Sequence, residues 1–155
     1  MKNEKVLKLI DEMSEVLSLL IELRKKGRFR EALEKIDETL HNYFKCESKF
    51  IYSLSEDFLI DALKEEKGLS SEQLVSLAEI LSEKGDILLE QNNLRESQKI
   101  LKNALKIYYF LNEDQDFFSF KNMNKMVHDH LVHQLYRHIM NYDKLLLDLS
   151  LQYYS

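Results

Sequence analysis

The chain has 155 residues, 45% of them hydrophobic, a formal net charge of −5, three Gly, one Cys and neither Pro nor Trp. That length is one domain's worth and that composition supplies a core, while so few Gly and no Pro favour long helices over a turn-rich sheet. Mild acidity spread along the chain gives no basic footprint for nucleic acid or an anionic membrane surface; the single Cys46 excludes an internal disulfide and a Cys-based zinc site, so a reducing, cytoplasmic setting is expected.

The first predicted element is a helix. Val6, Leu9, Met13, Val16, Leu20 and Leu23 recur at steps of three and four, the spacing of one helix face. Asp11, Glu12 and Glu15 interrupt any apolar run, so neither a signal peptide nor a membrane span is expected. Ile10, Leu17 and Ile21 widen the stripe beyond a coiled-coil seam. A face that wide is expected to meet more than one neighbour: the following helix and the C-terminal one, or a second copy in a homodimer through the N-terminal or C-terminal helix.

Arg24, Lys25, Lys26, Arg28 and Arg30 then place five cations in seven residues. Cations at a helix C-terminus complement the negative end of its dipole. The functional alternative is a site for a phosphate or an acidic partner, which makes these five the candidate partner-binding residues. Gly27 is expected to end the helix in the left-handed conformation, and a second helix from about Arg30 to Phe44 completes a hairpin over about 4–44.

Lys45 to Ser53 has no clear period and is expected to be a connection that carries Phe50, Ile51 and Tyr52 onto the core. Cys46 reads as a small buried hydrophobe with no catalytic base beside it. Ser55 as N-cap, Glu56 and Asp57 at the dipole's positive end and a Leu54 to Leu59 staple predict a short linker helix over about 55–67, stopped by Gly68.

Leu69 to Leu111 encodes a second hairpin, over about 70–111. Ser70 and Gln73 form a capping-box pair and Leu69 and Leu74 a hydrophobic staple. Leu74, Leu77, Ala78, Leu81, Gly85 and Leu88 make one helical face, Gln91-Asn92-Asn93 breaks it with residues that tolerate the left-handed region, and Leu94, Ser97, Ile100, Leu101, Ala104, Leu105 and Tyr108 make a second. Leu81, Gly85 and Leu88 resemble the large, small and large positions of the first helix of a tetratricopeptide repeat, and Ser97, Leu101 and Ala104 the small, large and small positions of its second. Departures are Lys84 where Leu is usual, Ser97 for Ala, and no Pro after the second helix. Val16 to Leu40 repeats the arrangement, with Ala32 lying 65 residues before Ser97. That spacing is near two repeat lengths, so the intervening stretch is expected to be a diverged unit or a shorter insertion. The resemblance implies an interaction scaffold whose groove is lined by the first helix of each hairpin, around Met13 to Leu23 and Val75 to Leu88.

From Asp114 to Leu151 there is no Gly or Pro, which predicts a C-terminal helix over about 114–151, capped by Asp114 or Asp116. Unbroken, it would be roughly 55 Å long at 1.5 Å per residue, so it is expected to bend near Asn122-Met123-Asn124 or Asn141, or to project onto a second copy. Four of the five histidines lie here: His128, His130, His133 and His138. Asp129, His130 and His133 fall on adjoining positions of a helical wheel and are the candidate metal ligands, although no Glu-x-x-His pair of the di-metal bundles occurs. No phosphate loop, nucleophile elbow or HExxH motif is present. The resulting expectation is an all-α, single-domain, non-enzymatic scaffold for a protein or peptide, with no cofactor; the alternative is a small helical metalloprotein built on the His-rich helix.

Overall fold

A computed structural model describes residues 2–54, 56–113, 143–144, 147 and 150–151. Among these residues every regular element is helical, so the chain is all-α. In chain order they are α1 (Lys2–Lys25), α2 (Phe29–Phe44), α3 (Ser48–Ser53), α4 (Glu56–Asp61) running into a π-helical turn (Ala62–Glu66), α5 (Ser71–Glu90) and α6 (Leu94–Glu113).

Local chemistry sets the boundaries. Gly27 adopts φ +73°, its N–H donates to the Arg24 carbonyl at 3.0 Å and Arg28 N–H to that of Leu23 at 2.9 Å, which is the Schellman pattern of bonds. The second hairpin turns in the same way 65 residues later: Asn92 has φ 61°, with Asn92 N–H on the Leu89 carbonyl at 3.0 Å and Asn93 N–H on that of Leu88 at 2.9 Å. At the start of α5 the capping box is complete, with Gln73 N–H donating to Ser70 Oγ at 3.2 Å and Ser70 N–H to Gln73 Oε1 at 2.9 Å. The two leucines of the expected staple, Leu69 and Leu74, are both buried.

Helix α5 is the centre of the molecule. It packs against α1, α2 and α6, and its buried residues include Leu74, Leu77, Ala78, Ile80, Leu81, Ile87 and Leu88, which point in several directions around the axis. Leu20 of α1 and Ile36, Leu40 and Phe44 of α2 join them in one continuous core. Helix α5 sits directly on the first hairpin, and the stretch inserted between the two hairpins holds only short helical elements.

That insertion departs from expectation twice. Lys45 to Ser53 is not an irregular connection: it holds α3, which buries Ile51. Glu47 stands at its N-cap position in an extended conformation, and Lys45, at φ 52°, ends α2 without a glycine. The helix expected over 55–67 is two pieces, because α4 widens into the π-helical turn, where Lys67 N–H reaches back to the Ala62 carbonyl at 3.1 Å. Gly68, at φ +64°, then ends it as expected; the Ser55 cap lies outside the described residues. Helix α4 packs on α6, and the Lys64 and Lys67 ammonium groups lie over the Phe110 and Phe50 rings at 4.8 and 4.5 Å. Of the C-terminal helix expected over 114–151, the described residues 143–144, 147 and 150–151 are helical. Among the described residues no helix is long and apolar enough to cross a membrane.

The α5–α6 seam is the closest in the fold. Gly85 faces Leu101, and a Cβ added to Gly85 would stand 2.5 Å from Leu101 Cγ. Ser97 is fully buried there, and its hydroxyl donates to the Gly85 carbonyl at 2.8 Å. A small residue in each helix lets the backbones approach. The hydroxyl that distinguishes Ser97 from the Ala of the repeat pattern is satisfied by the facing helix.

Candidate partner-binding face

Among the described residues, helix α1 carries apolar side chains both inside and outside the core. Met13, Val16, Leu20 and Leu23 are buried. At about 100° per residue Ile10, Leu17 and Ile21 lie within about 40° of one another on the neighbouring side, with Leu7 continuing the line. Leu7 and Ile10 are 60% and 45% exposed, and Leu17 and Ile21 are half-buried. A shallow hollow lined by Ser14, Glu15, Ser18, Leu19 and Glu22 flanks this strip. Leu147 and Leu151, one helical turn apart, are 59% and 61% exposed.

The strip borders α5 through one ion-pair cluster. Arg24 Nε donates to Glu83 Oε1 at 2.5 Å and Arg24 Nη1 to Glu90 Oε1 at 2.9 Å, tying the C-terminal end of α1 to the C-terminal half of α5. Glu83 is almost wholly buried while Glu90 is exposed. Burial opposes the charge on Arg24, but the two carboxylates outweigh it and, with Asp86 adding to the field, hold its pKa above the ordinary value.

Beside that cluster Glu72, Glu79 and Asp86 recur every seven residues and so share one face of α5, all three half-buried. Burial pushes the Glu79 carboxyl up to about 7. Its folded pKa therefore exceeds the unfolded one, so its contribution is fully present below the ordinary carboxylate range and is lost as the pH rises through about 7. Glu79→Gln is expected to gain about 1 to 2 kcal/mol over the native chain at pH 8, the full shift being discounted for partial exposure, and to change little at pH 5. Urea unfolding at the two pH values checks this.

The five expected partner-binding cations do not form a free basic patch. Arg24 is taken up by α5, Lys26 pairs with Glu22 at 2.7 Å, Arg28 with Glu31 at 2.7 Å and Arg30 with Glu34 at 3.3 Å. Lys25 is the one member without an ion pair among the described residues.

Lys84, the residue that breaks the repeat pattern, is buried and reaches out of α5 to Ser48 at the start of α3: Nζ donates to Ser48 Oγ at 3.3 Å, and Ser48 Oγ donates to Asp37 Oδ1 of α2 at 2.6 Å. Burial lowers the Lys84 pKa, against the opposing pull of Asp37 and Glu96. This chain of contacts joins α5, α3 and α2. Cys46 is fully buried, its thiol against the Phe44 carbonyl, and burial raises its pKa. Asp129, His130 and His133 lie outside the described residues. Among the described residues no three His, Cys, Asp or Glu side chains are grouped to hold a metal.

Sequence reasoning picked out Arg24 but not its partners. Glu83 is one of several acids on an amphipathic pattern, and only the helix packing singles it out. The seven-residue spacing of Glu72, Glu79 and Asp86 is a signal in the sequence that would have marked them as one face. Comparison with known proteins finds no family model, no curated protein and no solved structure that matches the chain.

Proposed function

We propose that the chain is a non-enzymatic helical scaffold that binds a peptide or protein helix, in a cytoplasmic setting where Cys46 stays reduced. The observation that carries this is the outer strip of α1, where, among the described residues, Leu7 and Ile10 are exposed beside the buried Met13, Val16, Leu20 and Leu23. Contiguous apolar surface of this kind on a folded domain is characteristic of docking sites, and a strip with helical spacing suits an amphipathic helix laid against it. A tetratricopeptide-like organisation is part of the same reading. It is supported by the matching turns at Gly27 and Asn92 and by the close seam of Gly85, Ser97 and Leu101.

A photo-crosslinking amino acid placed at Ile10, with Glu34 on the exposed side of α2 as control, tests it in the cells that make the protein. The scaffold reading predicts a discrete adduct with another protein from position 10 and none from position 34. Equal, diffuse labelling from both positions would overturn it.

A further inference from the structure

Lys84 stands in α5 where the repeat pattern has Leu, and it is buried. Its Nζ lies 3.3 Å from Ser48 Oγ, and that hydroxyl is 2.6 Å from Asp37 Oδ1, so a side chain of α3 is clasped between α5 and α2. His41 Nδ1 of α2, 2.7 Å from Glu47 Oε1 at the α3 N-cap position, is a second tie, and the Lys67 ammonium over the Phe50 ring is a third. All three are polar or cationic. Among the described residues of α3 only Ile51 is fully buried, whereas α4 and the π-helical turn bury Leu59, Ala62 and Leu63, and α4 packs on α6. Six residues are too few for a helix to hold itself in water, and Glu47 supplies no side-chain cap. Both flanks suit a hinge: Lys45, at φ 52°, holds a left-handed conformation that strains a non-glycine residue, and Leu54 is extended.

We infer that α3 is a strap, clasped to the two hairpins through Ser48, that opens as a unit while α1, α2, α5 and α6 stay folded. Segments that open on their own bury few apolar side chains and are anchored near solvent, and α3 has both features. Opening turns on Lys45 and Leu54. It carries along Cys46, which lies between the Lys45 hinge and α3 and is fully buried in the closed form. A buried ammonium has given up its hydration, and the Ser48 hydroxyl is among the partners that replace it, so the charge of Lys84 favours the closed strap. The Leu of the repeat pattern would offer Ser48 no such bond. The strap goes beyond the scaffold reading and is independent of the α1 strip.

Native-state hydrogen exchange and thiol labelling of the full chain test this. The Phe50 and Ile51 amides, which donate to the Glu47 carbonyl, report the strap, and the Leu77 and Leu81 amides of α5 report the hairpins. Cys46, the one cysteine, reports access of an aromatic disulfide reagent. Protection at Phe50 and Ile51 is expected to be at least about 100-fold below that at Leu77 and Leu81. Cys46 labelling should outrun global unfolding by a similar factor and depend only weakly on low urea, because opening exposes little surface. Ser48→Ala should raise the labelling rate about fivefold to tenfold at an unchanged urea midpoint. Lys84→Met should raise it too while the midpoint holds or rises, since the buried charge is gone. Equal protection in α3 and α5, or labelling that follows global unfolding, would overturn the strap. Rates unchanged in both variants would overturn the clasp. A Ser48→Ala rate that rises only in step with a falling midpoint would overturn the inference as well, since α3 would then open only with the whole fold.

Discussion

Leu101→Ala is expected to destabilise the protein by about 3 kcal/mol and Gly85→Ala by about 1 to 2 kcal/mol, and the double variant is expected to lose clearly less than the two together. Leu101 is buried and pressed against Gly85. Truncating it removes transfer free energy and leaves a cavity. Adding a methyl to Gly85 would ordinarily stabilise a helix by about 1 kcal/mol, but here the new Cβ meets Leu101 Cγ at 2.5 Å, and the overpacking outweighs the propensity gain. When both changes are made, the added methyl occupies part of the space that Leu101 vacates. Urea unfolding of the four proteins gives the coupling directly. Strict additivity would mean that the two side chains do not share this space.

Arg24→Ala should cost about 2 to 3 kcal/mol, more than any other substitution in the basic cluster. Exposed ion pairs such as Arg30 with Glu34 contribute only a few tenths of a kcal/mol, whereas removing Arg24 leaves Glu83 buried without its cation. Breaking a buried pair from one side costs about 3 to 5 kcal/mol, and the partial exposure of Arg24 puts this case at the lower end. Replacing both partners with apolar side chains, Arg24→Met/Glu83→Leu, should recover most of the loss, because no desolvated charge then remains. Thermal and urea unfolding of the set, with Arg30→Ala as the surface control, checks the ranking. Equal small effects at positions 24 and 30 would show that the tie between α1 and α5 contributes nothing to the fold.

Much of this architecture was legible from residue spacing because local and tertiary preferences agree. Ser70 and Gln73 cap α5, Gly27 and Asn92 turn the two hairpins, and Gly85 with Ser97 marks the seam, each through chemistry confined to a few neighbouring residues. The insertion was harder to read for a physical reason. Helix α3 is a six-residue segment, too short to show a period, and is held by long-range contacts through Ile51, Ser48 and Lys84. The end of α2 was expected at Phe44 and lies there; what the sequence hid is the left-handed Lys45 that ends it, a residue type that seldom takes that conformation. The π-helical turn at Ala62–Glu66 adds a residue to one turn without any composition signal.

The candidate face was only half legible. The doubled stripe of α1 could be read from Ile10, Leu17 and Ile21, but whether that second stripe lies in the core or outside it depends on how many neighbours α1 has. Periodicity does not contain that count. The basic cluster misled in the opposite direction: five cations in seven residues suggest an anion site, yet Glu22, Glu31, Glu34, Glu83 and Glu90 take up four of them. Acids one turn away along the same helix were visible in the sequence. Glu83 and Glu90 come from another helix and were not.

If, as proposed, the outer strip of α1 serves a partner and not the chain's own fold, the unfolding free energy of Leu7→Gln/Ile10→Gln shows it. Gln is a good helix former, so the substitutions change surface polarity without breaking α1. If the strip belongs to a partner, the variant unfolds within about 0.5 kcal/mol of the native chain. A loss above about 2 kcal/mol would contradict the claim, because it would put Leu7 and Ile10 inside the protein's own core.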